Sequence, residues 1–184
     1  MILCGMRHMP WEKNVELVKA AKEYYGHGVC AVDLAGDEAA FPVRQQAVMF
    51  QTAKELGIPF TIHAGECQNA QSIWDALELG ASRIGHGIAA RKDPRLMEYC
   101  VQHKIPFEMC PVSNLQTKAV QSMEEYPLFL FLKKGIPVTI NTDNRTVSNT
   151  SITRELQMIQ EYYGCADEVL ETLMKHARDA AFSS

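Results

Sequence analysis

Short apolar runs recur along this chain, and each is followed by a polar junction and then by a longer segment with helical periodicity. The runs are too short for helices and are rich in branched and aromatic side chains, which predicts buried parallel strands. Their starts lie about 23 to 31 residues apart, the spacing of consecutive β/α units. The predicted strands are Ile2 to Met6, Cys30 to Leu34, Phe60 to Ile62, Arg83 to Gly85, Phe107 to Met109 and Val138 to Asn141.

Helices are predicted between the strands, because proline and glycine fall where helices begin and end. Prolines mark first turns at Pro10, Pro42, Pro94 and Pro127, and glycines mark helix ends at Gly57, Gly80 and Gly135. Two more helices are predicted after the last strand, near Ile152 to Tyr163 and Asp167 to Phe182, with Gly164 between them. No linker interrupts residues 1–184, so a single domain is predicted.

Six β/α units without a glycine-rich phosphate loop favour a barrel over a doubly wound sheet. The predicted fold class is α/β, a partial (β/α)8 TIM barrel with six of its eight β/α units. A complete barrel typically takes about 250 residues, and the first predicted strand begins directly after Met1. We therefore expect the carboxyl-terminal part of a barrel, with two unpaired strand edges that favour self-association.

The composition excludes several classes of protein. Of 184 residues, 47% are hydrophobic and 22% are charged, which is typical of a globular domain with one sizeable core. The formal net charge of -4, with both signs spread along the chain, argues against nucleic acids and membrane surfaces as partners. A small molecule is the expected partner.

The six cysteines form no C-x-x-C pair and mostly lie in apolar runs. This pattern predicts free, buried thiols in a reducing compartment rather than a disulfide framework. No apolar run approaches the roughly 18 residues of a membrane span. The first residues also lack the pattern of a signal peptide. The chain is therefore predicted to be cytoplasmic.

The segment His63-Ala64-Gly65-Glu66 follows the third predicted strand and carries the most informative chemistry. In parallel α/β folds the carboxyl ends of the strands carry the active site, and Gly65 is expected to allow close approach to a ligand. An imidazole and a carboxylate at this place suit a metal-bound water and its proton carrier. The alternative is that His63 is a core histidine satisfied by a backbone carbonyl and that Glu66 begins a solvated loop.

Other strand ends add polar groups that are predicted to face the same mouth, namely Asp33 to Glu38, Gly85 to Gly87 and Asn141 to Asn144. His63 and Asp143 are candidate ligands of a divalent metal, with zinc the simplest choice. Such a metal lowers the pKa of its bound water, Glu66 is placed to shuttle protons, and His86 could orient the hydroxide. His86 could instead form only a tight turn, and Asp143 could cap the following helix.

Six motifs, in order and at family-like spacing, resemble those of the adenosine deaminase family. They are Met6-Arg7-His8, Asp33-Leu34-Ala35-Gly36-Asp37-Glu38, His63-Ala64-Gly65-Glu66, Arg83-Ile84-Gly85-His86-Gly87, Cys110-Pro111-Val112-Ser113-Asn114 and Asn141-Thr142-Asp143. The resemblance covers essentially the whole chain. It implies zinc-dependent hydrolytic deamination at C6 of adenosine or deoxyadenosine, which releases ammonia and leaves inosine or deoxyinosine.

The same resemblance implies roles for individual residues. His63 and Asp143 match zinc ligands. Glu66 matches the proton donor that works at purine N1, and His86 matches the histidine beside the attacking hydroxide. Gly36 matches the glycine whose backbone contacts the purine ring, where a side chain would be in the way.

The chain departs from the family pattern in two respects. Asn144 stands where the best-known members carry a second aspartate that hydrogen-bonds purine N7. Its amide can still donate to N7, and in this it resembles the bacterial branch. The His-x-His pair that completes the family's zinc site is absent, and the other histidines are expected to be structural or surface residues, namely His8, His27, His103 and His176. Two protein ligands of an expected four would hold zinc weakly, so we expect this chain alone to be inactive.

Two alternatives stay open from the sequence. The same scaffold and residues serve deaminases of adenine or of modified nucleosides, which differ in their ribose contacts. A non-catalytic nucleoside-binding module is the other alternative, although a pure binder has no need of the Glu66 carboxylate. The sugar preference and the oligomeric state are not determined by the sequence.

Overall fold

The computed structural model describes residues 1–67 and 69–182. In this part of the chain, six strands alternate with helices. The strands are Ile2–Met6 (β1), Ala31–Ala35 (β2), Thr61–Ala64 (β3), Arg83–His86 (β4), Phe107–Met109 (β5) and Val138–Ile140 (β6). All six predicted strands are confirmed; β1 and β5 have the predicted bounds, and the bounds of the other four differ by at most two residues.

The described residues form nine α-helices. They are Trp11–Glu23 (α1), Ala47–Glu55 (α2), Ala70–Glu78 (α3), Pro94–Gln102 (α4), Pro111–Gln116 (α5), Leu128–Lys134 (α6), Arg145–Ser148 (α7), Ile152–Tyr163 (α8) and Asp167–Ala180 (α9). Pro94 opens α4 and Gly135 ends α6, as predicted. The pattern missed α5 and α7, because helices this short do not complete a recognisable helical period. No helix in the described ranges is long and apolar enough to cross a membrane.

The strands are parallel and lie side by side in sequence order. β1 pairs with β2, and the other four strands form a sheet in the order β3-β4-β5-β6. A parallel bridge between Val32 and Phe60 joins the two groups, and the Val32 N–H donates to the Pro59 carbonyl at 3.1 Å. Consecutive parallel strands connected through helices are the architecture of a (β/α) barrel.

The core lies between the strands and the helices that connect them. Phe50 on α2 packs against Phe60 with ring centroids 4.8 Å apart, and Phe131 on α6 packs against Phe107 at 5.2 Å. Full burial of such a side chain stabilises the fold by about 1.5–3 kcal/mol. These contacts pack α2 and α6 against the strands, and the backbone pairing of the strands sets the register that aligns the strand ends carrying the polar motifs.

The two edge strands are covered to different degrees. Ile2 and Met6 of β1 are each 36% exposed, which agrees with an open edge. At β6, however, helix α9 contacts the edge, and the Val138 backbone N–H lies 3.2 Å from Nδ1 of His176. The expectation of two open edges is therefore corrected at β6, and His176 has the structural role that was predicted for it.

The cysteines in the described residues are free, as predicted, but most of them are not buried. Cys100 and Cys110 lie in the core, whereas Cys4 and Cys67 are exposed. The prediction of mostly buried thiols is wrong because Cys4 lies on an edge strand and Cys67 in the loop after β3. The apolar run around Cys4 does not bury it at an edge, and Cys67 stands between the polar residues Glu66 and Gln68 in the sequence.

Candidate active site

A cavity of about 520 Å³ opens at the carboxyl ends of β2, β3 and β4 and at the turn after β6. Five of the six predicted site residues line it, namely Gly36, His63, Glu66, His86 and Asp143. Asn144 is not among the lining residues. A groove of similar size, about 530 Å³, lies between α6 and α9 and contains none of the predicted site residues.

His63, on β3, is oriented by a carboxylate on the neighbouring strand. Its Nδ1 lies 3.1 Å from Oδ2 of Asp33 on β2. Burial alone would lower the pKa of His63, but the negative charge of Asp33 outweighs burial and raises that pKa to about 9. With Nδ1 engaged by Asp33, Nε2 is the ring nitrogen left for a ligand. His63 is therefore not a core histidine satisfied by a backbone carbonyl.

Glu66 lies two residues beyond β3, and its side chain is 24% exposed. Its Oε1 accepts a hydrogen bond from the Thr117 hydroxyl at 2.9 Å, and its Oε2 lies 3.7 Å from Nε2 of His86. The carboxylate thus faces an imidazole across the cavity instead of beginning a fully solvated loop. A partly shielded carboxylate in such a position is suited to proton transfer.

His86 ends β4, and its side chain is 1% exposed. His86 and Gly87 both have left-handed backbone conformations, with φ of 64° and 71°. For a non-glycine residue this costs free energy, and such strain clusters at functional sites. Burial lowers the pKa of His86, although the Glu66 carboxylate opposes that effect. His86 does lie in a tight turn, in which the Gly87 N–H donates to the Gly85 carbonyl at 2.9 Å, and its buried ring also faces the Glu66 carboxylate.

Asp143 follows β6 and is also in the left-handed region, with φ of 53°. Its Oδ2 accepts a hydrogen bond from the Ser113 hydroxyl at 2.7 Å. The residue that caps α7 is instead Asn144, whose side-chain oxygen accepts from the N–H groups of Thr146 and Val147 at 3.1 and 3.0 Å. The structure thus contradicts the capping alternative for Asp143. The contact of Asn144 with purine N7 stays a prediction.

Gly36 lies on the cavity wall just beyond β2 and has a φ of 111°, a conformation that side chains rarely adopt. A Cβ at this position would lie 3.5 Å from the backbone nitrogen of Arg7, which is ordinary contact. The backbone conformation, rather than crowding within the protein, therefore favours glycine here. The peptide of Gly36 is open to a ligand on the cavity side.

Gly65 has a φ of 74°, and a Cβ there would collide with the side chain of Ile73 in α3. The structure thus supplies a reason for this glycine within the protein itself, and the expected close approach of a ligand stays a prediction. Glycine is needed because the backbone is left-handed and because the neighbouring space is filled by the core. The left-handed backbone and the packing against Ile73 together fix the turn immediately before Glu66.

Glu38 anchors the same turn from the segment after β2. Its two carboxylate oxygens accept hydrogen bonds from the N–H groups of Gly65 at 2.6 Å and Cys67 at 2.9 Å. These two residues flank Glu66 in the chain. The Glu38 side chain is thus bound to both sides of the proposed proton carrier.

Arg7 anchors the end of β3 from the end of β1. Its guanidinium donates to the carbonyl of His63 at 2.5 Å and to the carbonyl of Phe41 at 2.9 Å. The side chain is buried, and burial lowers the pKa of Arg7, while the nearby Glu38 carboxylate opposes the shift. A buried arginine with these partners holds the strand end in place.

Several of these positioning residues were quoted in the motifs but were assigned no role from the sequence. They are Arg7, Asp33, Glu38, Ser113 and also Asn114, whose side-chain nitrogen lies 3.0 Å from Nδ1 of His86. Each is polar and nearly buried. A buried polar group needs a partner, so polar residues next to apolar strands are the signal that could have identified them. Their partners could not be named, because each partner lies on another strand end.

The described residues contain no group of three or more His, Cys, Asp or Glu side chains arranged to hold a metal ion. His63 and Asp143 provide a nitrogen and an oxygen donor, both of which zinc accepts. A zinc site in a protein normally has at least three protein ligands. The described residues therefore do not by themselves fit a complete zinc site.

The sequence model of the adenosine deaminase family matches residues 1–184. The adenosine deaminase of Clostridium acetobutylicum is 41% identical over 185 residues, and that of Clostridium botulinum (strain Okra) is 45% identical over 186 residues. Both alignments cover 100% of this chain and 55% of the relative. The chain spans about half the length of the curated relatives it matches.

Solved structures give the same picture of the fold. An adenine deaminase from Arthrobacter aurescens superposes with a TM-score of 0.92 at 24% identity, over 100% of this chain and 56% of that chain. The N6-methyl-AMP deaminase from Arabidopsis thaliana has a TM-score of 0.90 at 27% identity, over 100% and 54%. An amidohydrolase from Burkholderia ambifaria, solved with bound Zn, has a TM-score of 0.90 at 21% identity, over 100% and 52%.

These likenesses confirm the predicted fold class, an α/β fold that forms part of a TIM barrel and covers about half of its structural neighbours. The sequence comparisons go further, because the family model spans every residue of the chain and the relatives are more than 40% identical to it. The chain belongs to the adenosine deaminase family.

Proposed function

We propose that this chain forms the carboxyl-terminal part of an enzyme that deaminates adenosine or deoxyadenosine by hydrolysis. The products are inosine or deoxyinosine and ammonia. One observation carries the proposal: residues from four separate strand ends, matched to the family's site, line one cavity. In this reaction the oxygen of water bonds to C6 and the bond from C6 to the amino nitrogen breaks. One proton of the water ends on purine N1, and the other leaves with ammonia.

Glu66 is the proposed proton carrier. A proton delivered to N1 draws electrons from C6 and makes that carbon easier for water to attack. The Thr117 hydroxyl donates to Oε1 of Glu66, so Oε2 is the oxygen free to exchange the proton. General acid–base help of this kind contributes roughly 10² to 10⁴ in rate.

His86 is proposed to stabilise the attacking oxygen. The side-chain nitrogen of Asn114 lies 3.0 Å from Nδ1 of His86, so Nδ1 accepts and the proton of the neutral ring is on Nε2. An N–H on that side can donate to an oxygen in the cavity. Burial lowers the pKa of this imidazole, which favours the neutral ring and supports a role as a hydrogen-bond donor rather than as a charge.

The purine is proposed to bind against the backbone of Gly36 and the amide of Asn144. Asn144 uses its side-chain oxygen to cap α7, which leaves its NH₂ group as the donor for N7. The two roles are compatible, because the amide oxygen and nitrogen act separately. The proposed partner is accordingly a small purine nucleoside rather than a nucleic acid or a membrane.

We further propose that His63 and Asp143 are two of the ligands of a zinc ion. The remaining ligands would have to come from outside the described residues, because these contain no complete metal group. The orientation of His63 by Asp33 supports the proposal, since a carboxylate behind a histidine is the common arrangement at metal sites. We therefore expect residues 1–184 alone to bind zinc weakly and to be inactive.

Three broader expectations also stay proposals. The chain is a single domain, its open β1 edge favours self-association, and it works in the cytoplasm. Exposure of Ile2 and Met6 supports the second, because an uncovered strand edge pairs readily with another chain. Free cysteines support the third.

The test is the turnover of adenosine and deoxyadenosine by the full-length protein, followed by the change in ultraviolet absorbance. We expect Glu66→Gln to lower kcat by at least about 100-fold. Glu78→Gln is the matched control, because Glu78 is a well-exposed carboxylate on α3 that pairs with Arg44 at the surface.

Absence of turnover in zinc-loaded wild-type protein would contradict the proposed reaction. Full zinc occupancy and turnover by residues 1–184 alone would contradict the proposal that this is a partial site.

A related deaminase is the second candidate. The likeness to the N6-methyl-AMP deaminase, at 27% identity and a TM-score of 0.90, favours a modified purine nucleotide as substrate. Adenine is the other candidate base. Side-by-side rates with adenosine, deoxyadenosine, adenine and N6-methyl-AMP separate these candidates. Binding of adenosine without turnover by the full-length protein would instead indicate a non-catalytic module.

A further inference from the structure

Glu38 is bound to the chain on both sides of Glu66. Its Oε1 accepts the Gly65 N–H at 2.6 Å, and its Oε2 accepts the Cys67 N–H at 2.9 Å. We propose that Glu38 is a positioning residue that holds the Glu66 carboxylate in place for proton transfer. This inference rests on the proposed deaminase function and assigns Glu38 no contact with substrate.

Both carboxylate oxygens of Glu38 take part in this arrangement, and the Ser72 hydroxyl is a second acceptor on the Gly65 side at 3.0 Å. The two backbone donors flank Glu66, so one acceptor on each side fixes the peptide units before and after it. Glutamate provides two acceptors, whereas glutamine provides one acceptor and one NH₂ donor. An amide at position 38 would therefore set a donor against one of the two N–H groups. A backbone N–H that faces a donor costs free energy, so the loop would move, and the cost is greater at Cys67 because the Gly65 N–H keeps the Ser72 hydroxyl as an acceptor.

Glu38 is itself held in place. Its side chain is 8% exposed, and Asp37 next to it accepts the N–H groups of Ala39 and Ala40, each at 3.0 Å, which closes a tight turn. Arg7 donates to the carbonyl of Phe41 at the end of this turn. Residues that follow β1 and β2 thus hold the loop after β3, which carries Glu66.

The geometry of Glu66 explains why its position matters. One oxygen is held by the Thr117 hydroxyl, and the other lies 3.7 Å from His86. A proton transfer requires heavy atoms within about 2.6–3.2 Å, so a small displacement is costly. A misplacement of about 1 Å lowers the rate by up to about 100-fold. Loss of the Glu38 contacts should therefore reduce kcat much more than substrate binding.

The test compares variants of the full-length protein. We expect Glu38→Gln to lower kcat by about 10- to 100-fold while KM changes by less than about 3-fold. Glu38→Asp keeps both acceptors on a shorter side chain and should retain more activity than Glu38→Gln. Ser72→Ala is the matched control, because the Ser72 hydroxyl also accepts the Gly65 N–H, at 3.0 Å, but does not reach Cys67. It should stay within about 2-fold of wild type.

Amide hydrogen exchange gives a readout that does not depend on activity. In Glu38→Gln, exchange at Gly65 or Cys67 should become faster while the core strands stay protected. Unchanged exchange at both residues would overturn the proposal. So would a kcat within about 3-fold of wild type in Glu38→Gln when Glu66→Gln is inactive, or a loss of activity fully explained by loss of folded protein.

If the proposed deaminase function is wrong, the same experiments give a different result. Wild-type protein would then show no deamination of any 6-aminopurine, and exchange at Gly65 and Cys67 would still respond to Glu38→Gln. In that case the contacts of Glu38 are real, but its role in proton transfer is overturned with the function.

Discussion

The side-chain nitrogen of Asn114 lies 3.0 Å from Nδ1 of His86, which precedes it by 28 residues. In the assigned orientation of the amide, its oxygen accepts from the Tyr126 hydroxyl at 3.3 Å and its nitrogen donates to His86. The proton of the neutral imidazole is then on Nε2, the ring nitrogen that faces the Glu66 carboxylate at 3.7 Å. One buried amide thus decides which face of the ring can act as a donor in the cavity.

Replacement of Asn114 should change this tautomer. In Asn114→Asp a carboxylate faces Nδ1 and favours a proton there, so the donor at Nε2 is no longer assured. We expect kcat to fall by about 10- to 100-fold, a loss typical of one misdirected hydrogen-bonding group in an active site. Nitrogen NMR of the His86 ring checks the tautomer directly.

The control for this experiment is Tyr126→Phe, which removes the outer hydrogen bond but keeps the amide of Asn114. A smaller loss, within about 5-fold, is expected because the donor to His86 remains. Equal losses in both variants would mean that packing of this buried group, and not the proton position, determines the effect.

Two glycines with similar backbones should differ in their tolerance of alanine. Gly57 has a φ of 68° and no heavy atom within 4 Å of the point that a Cβ would occupy, whereas Gly65 has a φ of 74° and would collide with Ile73. Gly57→Ala should lower the free energy of unfolding by about 1–2 kcal/mol, the cost of a left-handed alanine. Gly65→Ala should cost about 1–3 kcal/mol more, because it also overpacks the core. Denaturant unfolding of both variants checks the difference, and equal costs would contradict the collision.

Glu155 should make stability depend on pH. Its carboxylate accepts the Val112 N–H at 3.1 Å, and burial raises its pKa although that hydrogen bond and the nearby Arg154 oppose the shift. Because the folded state holds the proton more tightly than the unfolded state, the stabilisation from this group is complete at low pH. It is lost as pH rises from the ordinary glutamate pKa through the raised one.

Glu155→Gln tests this sign, because glutamine can still accept the Val112 N–H but cannot titrate. The free energy of unfolding of wild type, relative to Glu155→Gln, should fall as pH rises through that window. Urea titrations at a series of pH values between about 4 and 8 measure the difference. A difference that rises with pH would show that the carboxylate is stabilised in its charged form.

Thiol labelling should report on the cavity. Burial raises the pKa of Cys100 to about 12, whereas Cys67 is exposed and lines the cavity. Burial and the Glu38 carboxylate raise the pKa of Cys67 as well, so its alkylation should accelerate with rising pH as thiolate forms. Peptide mapping by mass spectrometry should find Cys67 labelled in the folded protein and Cys100 only after unfolding. Adenosine in excess should slow labelling of Cys67, and unchanged labelling would argue against purine binding in this cavity.

Much of the fold was readable from the chain because its signals are local. Apolar runs, prolines and glycines depend only on neighbouring residues, and they located all six strands of the described ranges and their fold class. Where a prediction from these local signals was wrong, the tertiary structure shows the reason. Cys4 lies in an apolar run of the sequence but on an edge strand in space, where it is exposed.

In the candidate site, too, some features follow from the sequence and others only from the tertiary structure. The sequence by itself determined which residues stand at the strand ends, and family motifs named His63, Glu66, His86 and Asp143 among them. Only the tertiary structure decided their partners. The register of β3 and β4 places His63 beside Gly85. A side chain at position 85 would crowd the His63 ring, because its Cβ would lie 3.2 Å from Nδ1. The ring instead contacts Asp33 on β2, the strand on the other side.

The physical reason is that a hydrogen bond depends on an orientation and a separation of about 3 Å, which sequence spacing does not contain. Asp143 and Asn144 are adjacent, and either could have capped α7. Because of the backbone conformation after β6, Asn144 caps α7 and the Asp143 side chain accepts from Ser113 instead. The chain thus determined the chemical groups at the cavity, and the packing of strands and helices determined which of them meet.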